Sequence, residues 1–189
     1  MRRHLVLGAL LAGASGAANA AGLDFALGSE TAQANYYFGS DAIGYGGADF
    51  SIGAFFNDDD DIMGSFGVKA TGSPAGARPF SFGVGVKAYA ASLDRPDLDV
   101  QALGIGGEVK YHIPANMPMA LVAELYYAPS ITTGGDGENF TDFNLNFEVE
   151  ITPGTAAFIG YRQLETEIEN SGRDYELDDS GHIGIRLMF

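Results

Sequence analysis

The sequence contains no cysteine and no tryptophan, and its basic residues are few. Without cysteine the chain forms no disulfide and offers no thiolate for catalysis or for a zinc or iron–sulfur site. Ten Lys and Arg stand against 25 Asp and Glu, and the net charge of −15 argues against a nucleic-acid binder, which needs a basic face. Beyond the first 20 residues, no apolar run approaches the roughly 18 residues of a membrane-spanning helix.

Hydrophobic residues make up 46% of the 189 residues, which is enough for an ordered core and fits a single domain. The first 20 residues have the features of a secretory signal: Arg2 and Arg3, an apolar stretch over residues 5–11, and small residues at Ala18 and Ala20. We therefore predict a cleaved signal peptide over residues 1–20 and a mature domain over residues 21–189. An N-terminal core helix is the alternative and fits these features less well.

Alternation of apolar and polar residues dominates the mature sequence. The clearest example runs from Thr141 to Ile151, where every second residue is apolar and each intervening one is polar. A helix cannot produce this period, so each such run predicts a β-strand. Runs of Gly, Pro, Asn and Asp separate the segments. The sequence predicts ten strands, with eight as the alternative, at about 22–29, 31–39, 46–57, 62–72, 78–92, 97–113, 118–129, 139–151, 155–168 and 175–189.

Two all-β folds fit this pattern: a soluble sandwich and a closed antiparallel up-and-down transmembrane barrel. The polar face carries many charges in mid-strand, and many segments reach the 9–11 residues that a tilted membrane strand needs. Aromatic residues gather near strand ends, as at Phe55 and Phe56 or Tyr126 and Tyr127. We therefore prefer the barrel. Its predicted lipid-facing residues are Phe82, Val84, Val86, Ile105, Phe143, Leu145, Phe147, Ile183, Ile185 and Leu187.

A periplasmic N-terminus gives the barrel a consistent orientation. The turns near residues 40–45, 73–77, 114–117 and 152–154 then face the periplasm, and the longer, acidic connections face outward. The last strand ends in Phe189, which is typical of the C-terminal signal read by the outer-membrane assembly machinery.

Four segments carry a family resemblance: residues 55–60, 123–130, 160–164 and 184–189. In this order and spacing, the chain resembles the YfaZ-type small outer-membrane proteins of Gram-negative bacteria. The resemblance covers nearly all of the mature chain. It implies an exported outer-membrane β-barrel of undefined activity, and it transfers no catalytic residue to this sequence.

The polar face predicts a network of ion pairs inside the barrel, because a buried charge without a partner is costly. Glu148 and Glu150 lie on the same face, about 7 Å apart at the rise of a strand. A carboxylate pair of this kind could serve acid–base chemistry, although we favour ion pairing. The predicted network comprises Lys69, Lys87, Glu108, Lys110, Glu124, Asp142, Glu148, Glu150, Arg162 and Arg186.

The sequence also contains weaker indications of cation binding and of hydrolytic chemistry. Asp58, Asp59, Asp60 and Asp61 form a candidate cation-binding loop, but the run lacks EF-hand spacing. His182, close in sequence to Asp179 and Ser180, is a candidate for hydrolytic chemistry, and a hydrogen-bonded lumen histidine is the simpler interpretation. We expect no enzyme activity and no cofactor, and the sequence leaves metal binding open.

The sequence therefore predicts a bacterial outer-membrane barrel with an envelope structural or surface-interaction role. A narrow cation-preferring channel is the alternative, and an outer-membrane lipid-modifying enzyme is a third hypothesis. The expected partners are outer-membrane lipids, lipopolysaccharide and, transiently, periplasmic chaperones and the assembly machinery. We expect a monomer and no nucleic-acid partner.

Overall fold

The structure, a computed structural model, describes residues 21–40, 48–73, 79–94, 98–168 and 173–189. The predicted signal peptide lies outside these residues. No helix in this part of the chain is long and apolar enough to cross a membrane. A short 3₁₀ turn spans Ser130–Thr132. The strands are β1 (Ala21–Gly28), β2 (Thr31–Ser40), β3 (Ala48–Asn57), β4 (Ile62–Gly72), β5 (Phe80–Leu93), β6 (Leu98–Ile113), β7 (Met119–Ala128), β8 (Thr133–Gly135), β9 (Gly137–Thr152), β10 (Thr155–Ile168) and β11 (Arg173–Met188).

The fold is a closed, antiparallel up-and-down barrel of ten long strands. Consecutive long strands pair with each other, and β11 returns to pair with β1 from Gly22 opposite Met188 to Gly28 opposite His182. The short β8 pairs with residues 100–102 of β6, beyond residues 105–113 of β6, which pair with β7. This closure confirms the all-β barrel and the preferred strand number, and it excludes the sandwich, whose two sheets would keep open edges.

The two ends of the barrel differ. The terminal end carries Ala21 and Phe189, whose backbone groups bond to each other at 2.9 and 2.8 Å. The loop end carries the connections that follow Gly28, Asn57, Leu93, Ala128 and Ile168. Strands β5, β6, β9, β10 and β11 have 14 to 16 residues and are the longest of the barrel.

The outer surface of the barrel is apolar, as the alternation predicts. Val84 is 70% exposed and Ile105 is 68% exposed. Phe143, Leu145 and Phe147 are half-buried beside neighbouring side chains on the same outer face.

Where two aromatic residues are adjacent in sequence, their side chains point to opposite faces of the strand, because successive strand residues point in opposite directions. Phe55 and Tyr126 therefore point inward and are buried, so the grouping of both with their neighbours at a membrane interface is wrong.

Inside the loop end, apolar side chains fill the barrel. We call this cluster the apolar plug. Its larger members come from eight strands and are at most 4% exposed, so they fill the interior at this level. The rings of Tyr89 and Phe140 meet at its centre, 4.6 Å apart. The plug comprises Phe55, Met63, Tyr89, Leu93, Val100, Tyr126, Phe140, Leu164 and Leu177, with Ala91, Ala102 and Ala128.

A β-bulge in β11 changes which residues face inward. Leu164 pairs with Asp178, and the next pair is Glu165 with Glu176, so Leu177 is the extra residue. Both Leu177 and Asp178 are buried as a result. The bulge therefore places Leu177 in the plug directly beside Asp178, which faces the polar half of the interior together with His182 and Arg186.

Tight strand packing explains one of the glycines in mid-strand. A Cβ on Gly106 would lie 2.0 Å from the carbonyl oxygen of Leu125 and 2.6 Å from the Cα of Tyr126. Glycine is therefore required where β6 and β7 approach each other closely.

We predict that Gly106→Ala destabilises the barrel by about 1–3 kcal/mol, because the added methyl group meets backbone atoms that cannot move aside. Gly64→Ala is the matched control, since no described atom lies within 4 Å of its Cβ position. Urea unfolding of both variants, refolded in detergent micelles, measures the effect. Equal stability of the two variants would contradict this interpretation.

Candidate functional site

Below the apolar plug, the interior becomes polar and hollow. We call this space the lumen chamber. Its volume is about 290 Å³, and it is lined by side chains that include Asn35, Tyr37, Lys87, Asn144 and Arg186. A second cavity of about 450 Å³ lies at the terminal end beside Lys110, Pro118 and Glu150. The barrel is therefore hollow toward the terminal end and filled toward the loop end.

A first group of charges crosses the chamber from β4 to β9. The Lys69 ammonium lies 2.6 Å from a Glu108 carboxylate oxygen and 3.6 Å from Glu124. Lys87 lies 3.6 Å from Glu124 and 2.7 Å from Asp142. Each lysine is thus shared between two carboxylates, and charges from five strands are joined in one row.

This row is attached to the plug through Asp142. The hydroxyl group of Tyr89, a plug residue, donates a hydrogen bond of 2.8 Å to the same carboxylate oxygen that pairs with Lys87. The polar end of Tyr89 therefore joins the charged half of the interior, while its ring packs in the apolar half.

A second group of charges closes the seam between the first and last strands. Arg186 donates from Nε and Nη2 to the two oxygens of Asp24, at 2.8 and 2.7 Å. Its Nη1 pairs with Glu148, which also accepts a 2.8 Å hydrogen bond from Lys110. The guanidinium carbon lies 5.8 Å from the Tyr37 ring centre and 5.9 Å from that of Phe158. This bidentate, ring-flanked geometry suits arginine and not lysine.

A third pair lies at the boundary between plug and chamber. Arg162 is 0% exposed, and its Nε donates to Asp178 at 2.6 Å. The same guanidinium bonds to Gln33 and to Thr31, and its carbon lies 4.9 Å from the ring centre of Phe55. Arg162 therefore reaches across the interior from β10 to β2 and β3. Its charge is neutralised by the Asp178 carboxylate.

Most of the residues predicted for the network are brought together by the structure, although in three groups instead of one. Glu150 differs from the others: its Oε1 accepts a 3.4 Å hydrogen bond from the amide of Gly154 at the terminal end. Glu148 is engaged by two cations, so the two glutamates do not form a carboxylate pair for acid–base chemistry.

Two essential acids were missed by the sequence reasoning, Asp24 and Asp178. A signal for Asp24 was present, since it is the one charged residue in the apolar segment of β1. A signal for Asp178 was present as well, since it lies on the same alternating face of the last strand as His182 and Arg186.

The histidine candidates are engaged in structural contacts. His182 Nε2 lies 2.8 Å from Asn146 Oδ1, and its ring stands edge-on to Phe158. Ser180 donates to Asp178 at 2.6 Å, and Asp179 accepts from Tyr161 on the outer surface. The structure therefore assembles no serine–histidine–aspartate arrangement from these residues. His112 lies 3.3 Å from Ser81 near the terminal end and is exposed.

The acidic turn after β3 divides into two parts. Asp58, Asp59 and Asp60 are exposed, and Asp60 has a positive φ of 67°. Asp61 is fully buried. Its oxygens accept hydrogen bonds from Asn57 Nδ2, the Asp94 amide and the Tyr175 hydroxyl, at 2.9, 2.9 and 2.8 Å. Among the described residues, no group of three or more His, Asp or Glu is placed to hold a metal ion.

A scan against models of protein families matches one described as YfaZ precursor, over residues 2–189. A search among curated proteins finds no match. The family match spans nearly the whole chain and agrees with the resemblance seen in the four sequence segments. The family description states no activity.

We predict strong coupling between Arg162 and Asp178. Arg162→Met or Asp178→Leu alone should lower the free energy of unfolding by about 3–5 kcal/mol, because each leaves a buried charge without its partner. The double variant should lose clearly less than the sum of the two, since it removes both charges.

Urea unfolding in detergent micelles measures this cycle. Asp179→Leu is the control, because Asp179 is the exposed neighbour of Asp178 and its loss removes only the outer hydrogen bond from Tyr161; its effect should stay within about 1 kcal/mol. Additive losses in the double variant would show that the two residues act independently.

Proposed function

The chain belongs to the YfaZ family, and from this premise we propose that it is an outer-membrane barrel with a sealed lumen and an envelope structural or surface-interaction role. We propose no catalytic activity. The single observation that supports this function best is the apolar plug, which fills the loop end while the outer surface remains apolar around the barrel.

The proposed location rests on the division between the two faces of the strands. Large apolar residues lie outside on most strands, among them Phe66, Leu125, Ile159 and Ile183, all at least 46% exposed. A water-soluble protein rarely exposes so continuous an apolar surface. In a lipid bilayer this surface is favourable, and the closed ladder leaves no strand edge in the hydrocarbon layer.

The proposed orientation places the terminal end in the periplasm. The loop end would then lie at the cell surface, where Asp58, Asp59, Asp136 and Glu138 are exposed. Divalent cations could bridge these carboxylates to lipopolysaccharide phosphates. The last strand and Phe189 would serve recognition by periplasmic chaperones and the assembly machinery. No feature of the proposed role requires a nucleic-acid partner or more than one subunit.

A narrow channel is the second candidate, and the lumen chamber is the observation that favours it. Any current through the interior should prefer cations, because carboxylates outnumber basic groups along the described inner face. The plug favours the sealed barrel over this candidate. A lipid-modifying enzyme is less well supported, since His182 is held by Asn146 and Phe158. Unchanged lipid hydrolysis after His182→Ala would remove that hypothesis.

We predict that the protein is found in outer-membrane fractions and that its mobility on SDS gels depends on boiling. A closed barrel resists SDS until it is heated, so the unboiled sample should migrate differently from the boiled one. The measurement compares both samples from membrane and soluble fractions. A soluble periplasmic protein whose mobility does not change would contradict the proposed location.

We predict that the purified protein gives no steady current in planar lipid bilayers, because the plug closes its interior. The double variant Phe55→Ala/Phe140→Ala should conduct and should prefer cations. Phe56→Ala is the matched control, since Phe56 neighbours Phe55 but points outward, and it should remain silent. Steady conduction by the unmodified protein would favour the channel over the sealed barrel.

A further inference from the structure

Asp61 joins three separate segments of the loop end. Its carboxylate accepts hydrogen bonds from Asn57 in its own turn, from the amide of Asp94 after β5, and from Tyr175 in β11. In addition, Asn57 Nδ2 donates to the carbonyl oxygen of Leu177 at 3.2 Å. One buried carboxylate therefore holds together parts of the barrel that are up to 114 residues apart in sequence.

These three segments also carry plug residues. Phe55 and Met63 flank the turn that contains Asp61, Leu93 directly precedes Asp94, and Leu177 follows Tyr175 by two residues. The hydrogen bonds to Asp61 thus lie immediately above the plug. They fix the relative positions of the backbone segments whose side chains close the interior.

At the level of the plug, the backbone ladder between β1 and β11 is missing among the described residues. β1 ends at Gly28 opposite His182, so the described part of β11 before His182 has no partner in β1. Above that level, β11 contacts the turn after β3 through the side chains of Asn57, Asp61 and Tyr175. Contacts made by side chains can separate at a lower free-energy cost than a continuous strand ladder.

We propose that the hydrogen bonds to Asp61 act as a latch that holds the apolar plug closed, and that release of this latch connects the lumen chamber to the outside as a cation-preferring passage. This inference rests on the proposed sealed barrel. The structure would then be the closed state of a barrel that can open. The plug supplies the barrier, and the Asp61 hydrogen bonds keep its parts together.

The chemistry of the opened passage follows from the residues below the plug. An ion entering from the loop end would meet Asp142, Glu124 and Glu108, each paired with a lysine of the same row. Asp178 and Asp24 add carboxylates on the opposite side of the interior. The chamber is lined by five carboxylates against four lysine and arginine side chains, and this excess of negative charge suits the passage to small inorganic cations.

The test is single-channel recording of Asp61→Asn in planar bilayers with potassium chloride as the probe. An asparagine side chain keeps the shape of aspartate but has only one oxygen, so at least one of the three hydrogen bonds is lost. We expect brief openings, with an open fraction raised by roughly tenfold for each charge-assisted hydrogen bond lost. The reversal potential in a salt gradient should show cation preference.

Asp58→Asn is the matched control, because it makes the same charge change in the same turn at an exposed position. It should behave as the unmodified protein does. Tyr175→Phe is a milder second variant that removes only the hydroxyl donor to Asp61 and keeps the ring, so it retains a folded barrel if Asp61→Asn does not fold. Each variant is first checked for the gel shift of the closed barrel.

The outcomes separate this inference from the proposed function. Silence of Asp61→Asn and Tyr175→Phe would overturn the latch, whether or not Phe55→Ala/Phe140→Ala conducts. Openings that are equally frequent in Asp58→Asn would also overturn it, since they would reflect the loss of charge alone. Steady conduction by the unmodified protein would instead refute the sealed barrel.

Discussion

The structure depends on one constraint: a ten-stranded barrel has a narrow interior, and inward-facing side chains from opposite strands meet each other inside it. Every group that points inward must then find a partner inside. Apolar groups meet this requirement by packing, and charged groups meet it by pairing. The interior separates accordingly into an apolar plug at the loop end and paired charges toward the terminal end.

Arg162 lies where these two halves meet, and it shows how closely they depend on each other. Its guanidinium faces the Phe55 ring of the plug and pairs with Asp178 of the polar half. The bulge at Leu177 places two consecutive residues of β11 in the interior, Leu177 in the plug and Asp178 beside Arg162. Without Asp178, Arg162 would lose its ion-pair partner at this boundary.

The barrel could be predicted from the sequence because period-two alternation is a property of each strand by itself. Strand β10 has the predicted bounds, and β4 does as well. The inward direction of Lys69, Lys87 and Arg186 followed from the same alternation. The alternation did not predict which of these charges pair with each other. Pairing depends on how strands on opposite sides of the interior are staggered, and the sequence of a single strand does not contain this information. The plug was missed because the pattern changes near the loop end. In β6, Val100 and Ala102 face inward and Asp99 and Gln101 face outward, whereas the apolar Leu103 and Ile105 farther along the strand face outward.

The position of the plug agrees with the lengths of the strands. β5, β6, β9, β10 and β11 are each longer than a tilted membrane strand needs to be, whereas β1 has only eight residues. The long strands extend past β1 at the loop end, where the wall is incomplete and the backbone ladder cannot close it. Packing of apolar side chains and the hydrogen bonds to Asp61 replace the ladder there. At the terminal end the ladder between β1 and β11 is complete, so the interior can remain hollow and polar without loss of closure. The same difference in strand length therefore accounts for the sealed end, the hollow end and the single buried aspartate in an otherwise exposed acidic turn.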